Sequence, residues 1–312
     1  MPCRSLAYVF AAWAALAVCG SAFAADPVFP PGLRIGLEPP GDLKPSTRFS
    51  GFEDIDRKVG VTIFDLPAAA YPDLERAANG NDQHGLTNLK RENFSFRSGT
   101  GLLVTGQGQI KGVMLHKWVL LATAPPDKDL TVLINVEVPE TALAIYSDAA
   151  VRKALASVTF RPMPIQEQLG LLPFKLSDLA GFRVMKVLPA GGVMLTEEPT
   201  DDLSKQPYVI VSVGRGSPEQ ADDRARFARD LLSSAPLRAL TVQSADAMRI
   251  GGQPGFEIRA QGKGANDEPI MVAQWLRFSG GNFLRVIGVG RKDDWGTLFT
   301  RFRAVRDGVV LR

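Results

Sequence analysis

The sequence predicts an α+β protein in which one unit, a mainly antiparallel sheet packed with helices, occurs twice in tandem. Three successive runs rich in Ile, Val, Phe and Trp, separated by Gly, Asn and Asp, occupy Met248–Gly290, a pattern typical of an antiparallel meander. A similar set of runs occupies Phe96–Val138, and Trp118 in it matches Trp275. Because strands and helices follow in the same order twice, we interpret the chain as a tandem duplication.

The first copy begins with strands and ends with a helix. Branched residues, which favour extended chain, mark its early strands. These strands are Gly32–Leu37, Phe49–Asp54 and Val59–Leu66. A helix is predicted from Pro72 to Gly80, because proline suits the first helical turn and Asn-Gly ends a helix. After the meander, Ser147 is expected to cap a last helix with one apolar stripe.

The second copy repeats this order. Its early strands are predicted at Gly181–Met185, Gly192–Thr196 and Tyr208–Val213. Ser217 followed by Pro218, with Gln220 at the third helical position, predicts a capped helix start. The last helix is predicted over Trp295–Arg306. Its core-facing residues are expected to be Leu298, Phe299, Phe302 and Val305, and its solvent-facing ones Arg301, Arg303 and Arg306.

Residues 1–25 have the pattern of a secretory signal peptide. Arg4 supplies the positive start, Leu6–Val18 the apolar stretch and Ser21–Ala24 a small-x-small cleavage pattern. The sequence therefore predicts a soluble periplasmic or secreted protein with no membrane span in the mature chain. A lipoprotein anchored at Cys19 is the alternative. The mature chain is expected to consist of one domain over 26–161, a linker over 162–172 and a second domain over 173–312.

Charge and cysteine content exclude several classes of function. Removing Arg4 from the 36 basic residues leaves 35 against 33 acidic ones, a net charge of +2, and the basic residues are scattered. This balance argues against a nucleic-acid partner, which would require a clustered basic face. Both cysteines, Cys3 and Cys19, lie in the signal peptide, so the mature chain has no disulfide, thiolate nucleophile or Cys-ligated metal. We predict no cofactor.

Each half resembles the PsbP-like fold, the α/β sandwich of the extrinsic photosystem subunit, also found in small bacterial proteins of unknown function. In the second copy the resemblance is carried by Gly251-Gly252-x-x-Gly255-Phe256-Glu257, Trp275-x-x-Phe278 and the helix around Phe299 and Phe302. In the first copy it is carried by Gly101, matched with Gly255, by Trp118 and by the helix after Ser147, while Arg97-Ser98 replaces the double glycine. The resemblance implies domains that bind or help to assemble other proteins, without a shared active site.

The mature chain has two histidines, and neither indicates catalysis. His84 lies in a polar loop with Asp82, and two loop residues are too few for a metal site. His116 alternates with Trp118 on one strand face and could act as a base in a pocket, but a half-buried packing role is favoured. The second copy has Ala273 in its place. We predict no metal site and no catalytic residue.

The candidate ligand-binding residues are Trp118, Trp275, Arg277, Lys117, Arg34, Arg183 and His116. If the two tryptophans face outward, they form an aromatic platform with Lys117 and Arg277 nearby, which suits a peptide or glycan. If they face a helix, they belong to the core, and this interpretation is favoured. Arg34 and Arg183 recur on the first strand of each copy. They either bind a ligand or protect an edge strand from aggregation.

The sequence favours a non-enzymatic, exported binding or assembly protein of the bacterial envelope. Its partner would be another envelope protein or peptide, held on a sheet face or in an interdomain groove. One alternative is an envelope hydrolase using acidic residues in an interdomain cleft, which requires close carboxylates with raised pKa values. Another is a small-ligand or lipid carrier, which requires a closed apolar cavity of roughly 300 Å³ or more in one domain. A shallow apolar groove rimmed by arginines would favour binding.

Overall fold

The computed structural model describes residues 26–80, 86–110, 112–124, 130–188, 191–200, 202–264 and 266–312. The predicted signal peptide, with Cys19, and the loop that holds His84 lie outside these ranges. The described chain divides into two compact units, one of residues 26–28 and 36–159 and one of residues 29–35 and 160–312. The predicted linker, 162–172, belongs to the second unit, and the exact domain boundaries stay a prediction.

The bounds of the elements follow in chain order. Up to residue 160 they are β1 (Ile35–Gly36), β2 (Lys44–Pro45), β3 (Gly51–Asp54), β4 (Val59–Pro67), α1 (Tyr71–Asn79), β5 (Leu86–Phe96), β6 (Gly99–Ile110), β7 (Val113–Thr123), β8 (Leu130–Pro139), α2 (Asp148–Ala156) and β9 (Thr159–Phe160). Next come α3 (Ile165–Leu171), β10 (Phe174–Leu176), β11 (Arg183–Leu188), β12 (Gly192–Thr196), β13 (Tyr208–Arg215), α4 (Asp223–Ser233), β14 (Arg238–Ile250), β15 (Gln253–Lys263), β16 (Pro269–Ser279), β17 (Asn282–Arg291), α5 (Trp295–Asp307) and β18 (Val309–Leu311). Within the described ranges, none of these helices is both long enough and apolar enough to cross a membrane.

Each unit contains one seven-stranded antiparallel sheet, and the two sheets have the same strand order. That order is β2-β3-β4-β8-β7-β6-β5 in the first unit and β11-β12-β13-β17-β16-β15-β14 in the second. In both, a four-stranded meander lies beside the earlier strands, and its last strand pairs with β4 or β13. The predicted α+β class and the predicted tandem repeat are therefore confirmed.

Strand register places the two tryptophans at equivalent positions. Trp118 on β7 pairs with Thr105 on β6, and Trp275 on β16 pairs with Glu257 on β15. The predicted match of Gly101 with Gly255 is wrong. Gly101 pairs with a residue four positions beyond the first tryptophan, whereas Gly255 pairs with a residue two positions beyond the second. The two glycines are therefore offset from each other by two residues, which is one full side-chain period of a strand. The short motifs around them are similar, so the sequence did not reveal this offset.

In the first unit, α2 packs with the apolar stripe that the sequence predicts. Val151, Ala154 and Leu155 are buried. The hydroxyl of Ser147 accepts a hydrogen bond from the backbone N–H of Ala150 at 3.3 Å, so the predicted cap is present. This bond satisfies one of the N–H groups that have no partner inside the first turn.

In the second unit, α4 and α5 cover opposite faces of the sheet. Phe302 of α5 packs in the same apolar cluster as Trp275, while Leu232 of α4 packs in the cluster on the other face. Glycine on β17 lets α5 approach closely, because a Cβ atom at Gly288 would lie only 2.5 Å from the ring of Phe302. The sheet is thus apolar on both faces, and a ligand site must lie at its ends or edges.

The predicted helix start at Ser217 is wrong, since α4 begins at Asp223. Gly216 has a φ of +82°, which glycine adopts without strain. The backbone N–H groups of Gly216 and Ser217 both donate to the carbonyl oxygen of Gly281, at 2.9 and 3.0 Å. These bonds hold the segment to the β16–β17 turn instead of starting a helix.

Candidate functional site

Both tryptophans lie in the core of their units, so neither forms an open aromatic platform. Trp118 is 3% exposed and Trp275 is 1% exposed. The indole N–H of Trp118 donates to Asp148 Oδ1 at 2.7 Å, and that of Trp275 donates to Glu257 Oε2 at 2.6 Å. A buried indole requires such a partner for its N–H group.

Arg306 was expected in solvent but is buried beside Trp275. Its guanidinium carbon lies 5.3 Å from the centre of the indole ring, and its Nε and NH2 groups each donate to Asp307 at 2.8 Å. The stacking and the paired charge together compensate for the burial of a cation.

His116 and Lys117 point to opposite faces of β7. Lys117 pairs with Glu137 at 2.6 Å, while the ring centre of His116 lies 6.3 Å from that of Trp118. His116 lines a small pocket of about 190 Å³ together with Lys90. Lys117 and Trp118 line this pocket as well, but the amino group of Lys117 is held by Glu137.

Arg34 and Arg183 do not hold equivalent places. Arg183 is exposed at the start of β11, the outer strand of the second sheet. Arg34 precedes β1, outside both large sheets, and its carbonyl oxygen accepts a hydrogen bond from the backbone N–H of Arg161 at 2.9 Å. The position of Arg183 agrees with a charged residue that blunts a sheet edge.

Arg277 lines a groove of about 530 Å³ at one end of the second sheet. We call it the arginine groove and define it by Arg215, Arg277 and Arg312, with apolar contacts from Val213, Phe283 and Leu311. No Asp or Glu side chain is among its lining residues. The β16–β17 hairpin and the end of β13 supply most of its wall, while Leu311 and Arg312 come from the end of the chain.

Two guanidinium groups in the arginine groove have no counter-charge. Among the described residues, neither Arg215 nor Arg277 has a carboxylate within ion-pair distance. The Nε atom of Arg277 is buried without a hydrogen-bond partner. Burial lowers the pKa of Arg277. Because a partly buried cation without a partner is unfavourable, an anion that enters the groove would remove an existing free-energy cost.

At two positions of the groove the first unit has apolar side chains. Counting along the strand from the tryptophans, Arg277 stands where the first unit has Leu120, and Ser279 stands where it has Ala122. Leu120 and Ala122 are both buried. At these two positions, a basic and a polar residue of the second copy therefore replace core residues of the first.

Within the described ranges, the shifted carboxyl groups all move in one direction. Each carboxyl group with a displaced pKa is lowered, as for Glu53, Asp54 and Asp202. A backbone hydrogen bond from Arg57, followed by one from the Tyr146 hydroxyl at 2.8 Å, lowers the pKa of Asp54 to about 2. General acid catalysis needs the opposite shift. No cluster of three metal-ligating side chains occurs in the described part of the chain.

The comparisons with known proteins concern the fold. No protein-family model and no curated protein sequence match the chain. It is similar to LpqN of Mycobacterium tuberculosis, described as involved in cell envelope biogenesis, with 16% identity and a TM-score of 0.37 over 44% of this chain and 82% of that one. It is also similar to the cyanobacterial PsbP of Synechocystis sp. PCC 6803, with 15% identity and a TM-score of 0.33 over 45% and 87%.

A third similar structure spans both units. The immunity protein TplEi of the T6SS of Pseudomonas aeruginosa matches 92% of this chain and 96% of its own, with 12% identity and a TM-score of 0.29. A cyanobacterial PsbP is thus among the structures to which the chain is similar, and both units have the α+β class that the sequence predicts.

Proposed function

We propose that this chain is a non-enzymatic binding protein of the bacterial envelope, and that its second unit holds an anionic segment of a partner protein in the arginine groove. The observation that supports this most directly is Arg277, whose buried Nε has no hydrogen-bond partner, in a groove lined also by Arg215 and Arg312 and by no acidic side chain. Arginine binds carboxylates in a bidentate way, with stronger hydrogen bonds than neutral donors form.

The size and shape of the groove suit a few residues of a peptide. Its volume of about 530 Å³ falls in the range of specific ligand sites, roughly 300–1,000 Å³. Val213 and Leu311 add apolar contacts to the lining, so affinity need not depend on charge alone. Charge then provides orientation and specificity.

Peptide selection on the full chain tests this function. Peptides selected from a random displayed library are expected to be enriched in Asp and Glu. The double variant Arg215→Gln/Arg277→Gln should lose this enrichment. The affinity of a selected peptide should fall at least on the order of 100-fold, because each of the two charged hydrogen bonds that are lost contributes about 1.5–3 kcal/mol.

Arg183→Gln is the matched control, since Arg183 is exposed on the same unit outside the groove. It should keep the acidic enrichment and the wild-type affinity in fluorescence anisotropy. Peptides from the wild-type chain that show no acidic preference, or a double variant that binds them equally well, would count against the proposal.

We also propose that the chain is exported, on the strength of the charged start, apolar stretch and cleavage pattern in residues 1–25. Intact mass spectrometry of the protein recovered from the envelope fraction of a Gram-negative host should find an N-terminus near Asp26. A cytoplasmic protein that keeps Met1 would refute export. A lipid-modified Cys19 would instead establish the lipoprotein alternative.

A further inference from the structure

A second groove in the same unit is mainly apolar. We call it the leucine groove; it has a volume of about 440 Å³. Its apolar lining includes Leu169, Leu172, Phe174, Leu176, Leu179 and Val184. Phe174 and Leu172 are buried in the core, whereas Leu176 and Leu179 keep part of their surface exposed. Lys175 is at its rim. An open groove of this composition can take an apolar side chain from a partner.

The leucine groove adjoins the arginine groove. Arg312 lines both of them, and Pro173 lines the arginine groove while its neighbours Leu172 and Phe174 line the leucine groove. Phe174 also pairs with Leu311, another residue of the arginine groove. Since an extended chain advances roughly 3.3 Å per residue, a few residues of peptide reach from one groove to the other.

Exposed apolar side chains on neighbouring elements extend this surface. Leu171 at the end of α3 is 62% exposed, and Val310 and Leu311 on β18 are 54% and 41% exposed. Arg312, whose guanidinium donates to the carbonyl oxygen of Gly170, lies beside them. Exposed apolar side chains next to a charged groove are typical of an interaction site.

Building on the proposed function, we infer that the partner segment is an amphipathic acidic peptide. Its carboxylates occupy the arginine groove, and an aliphatic side chain a few residues away occupies the leucine groove. A lipid with an anionic head group has similar chemistry, but carriage of an acyl chain requires an enclosed cavity, and both grooves are open to solvent. Open grooves suit a peptide, whose backbone stays hydrated.

The test uses the same peptide selection on the full chain. Peptides selected on the wild type should carry Leu, Ile, Val or Phe at a constant spacing from their acidic residues. The variant Leu176→Ser/Leu179→Ser should keep the acidic preference and lose the aliphatic one, and its affinity for a selected peptide should fall about tenfold. Val242→Ser, at an exposed valine outside both grooves, should bind like the wild type.

Each outcome has a distinct meaning. Acidic enrichment without any aliphatic preference overturns this inference and leaves the proposed function intact. If the peptides selected on the wild type show no acidic enrichment, the proposed function itself is overturned. Phosphatidylglycerol vesicles provide the lipid arm: vesicle binding that the leucine-groove variant abolishes, with peptide affinity unchanged, would assign the surface to a membrane. If the leucine-groove variant still binds acidic peptides, it is folded.

Discussion

Trp275→Ala is expected to lower the free energy of unfolding of the second unit by about 3–5 kcal/mol, the range for removal of a large buried aromatic side chain. The ring is almost wholly inaccessible and its centre lies 5.7 Å from that of Phe299 on α5. Removing it leaves a cavity between the sheet and α5 that Gly288 on the neighbouring strand cannot fill. It also leaves Glu257 without its indole donor.

Urea unfolding followed by far-UV circular dichroism measures this loss without relying on the fluorescence of the deleted residue. Trp295→Ala is the control, because Trp295 is only half-buried at the start of α5. It should lose clearly less stability. A Trp275→Ala variant that loses under about 1 kcal/mol, the size of a surface substitution, would show that the ring does not support the core.

Local patterns predicted most of the fold. Strands such as β7, β8, β16 and β17 read as apolar runs because they are central and buried on both faces. The outer meander strands, β5 and β14, did not stand out, because edge strands expose most of their residues and show no apolar period. Repetition made up for this, since two copies of one pattern are less ambiguous than one.

Features set by distant contacts could not be predicted from the sequence. Ser217 has every local signal of a helix start, but its backbone N–H donates a hydrogen bond to the carbonyl oxygen of Gly281. The helical period predicts that Arg306 is exposed, but its side chain is buried against the ring of Trp275 and donates to Asp307. In both cases the outcome is decided by a residue far away in the sequence, which is Gly281 for Ser217 and Trp275 for Arg306.

The candidate site was predicted in part. Arg277 was a candidate because of its nearness to Trp275, but Arg215 was missed, since only the folded sheet brings their strands, β16 and β13, to the two sides of β17. A usable signal was present in the repeat. Aligning the copies on their tryptophans puts Arg277 opposite Leu120, a charged residue at a core position of the other copy.

Glu257→Ala is expected to lower the stability of the second unit by about 3 kcal/mol, because it removes a buried carboxylate and leaves charged and polar donors without their partner. The indole N–H of Trp275 would be buried and unsatisfied. Arg259 would lose a hydrogen bond of 2.7 Å, and Arg306 would lose a carboxylate 4.0 Å away. Glu257 is only 6% exposed, so water replaces the lost carboxylate less readily than it would at an exposed site.

The first unit supplies the matched control for Glu257→Ala. Trp118 also donates to a carboxylate, but Asp148 is 59% exposed at the side chain, so water can take its place. Asp148→Ala should therefore cost under about 1 kcal/mol, most of it from the lost charge at the start of α2. Equal losses for the two substitutions in urea unfolding would mean that burial of the carboxylate does not set its contribution.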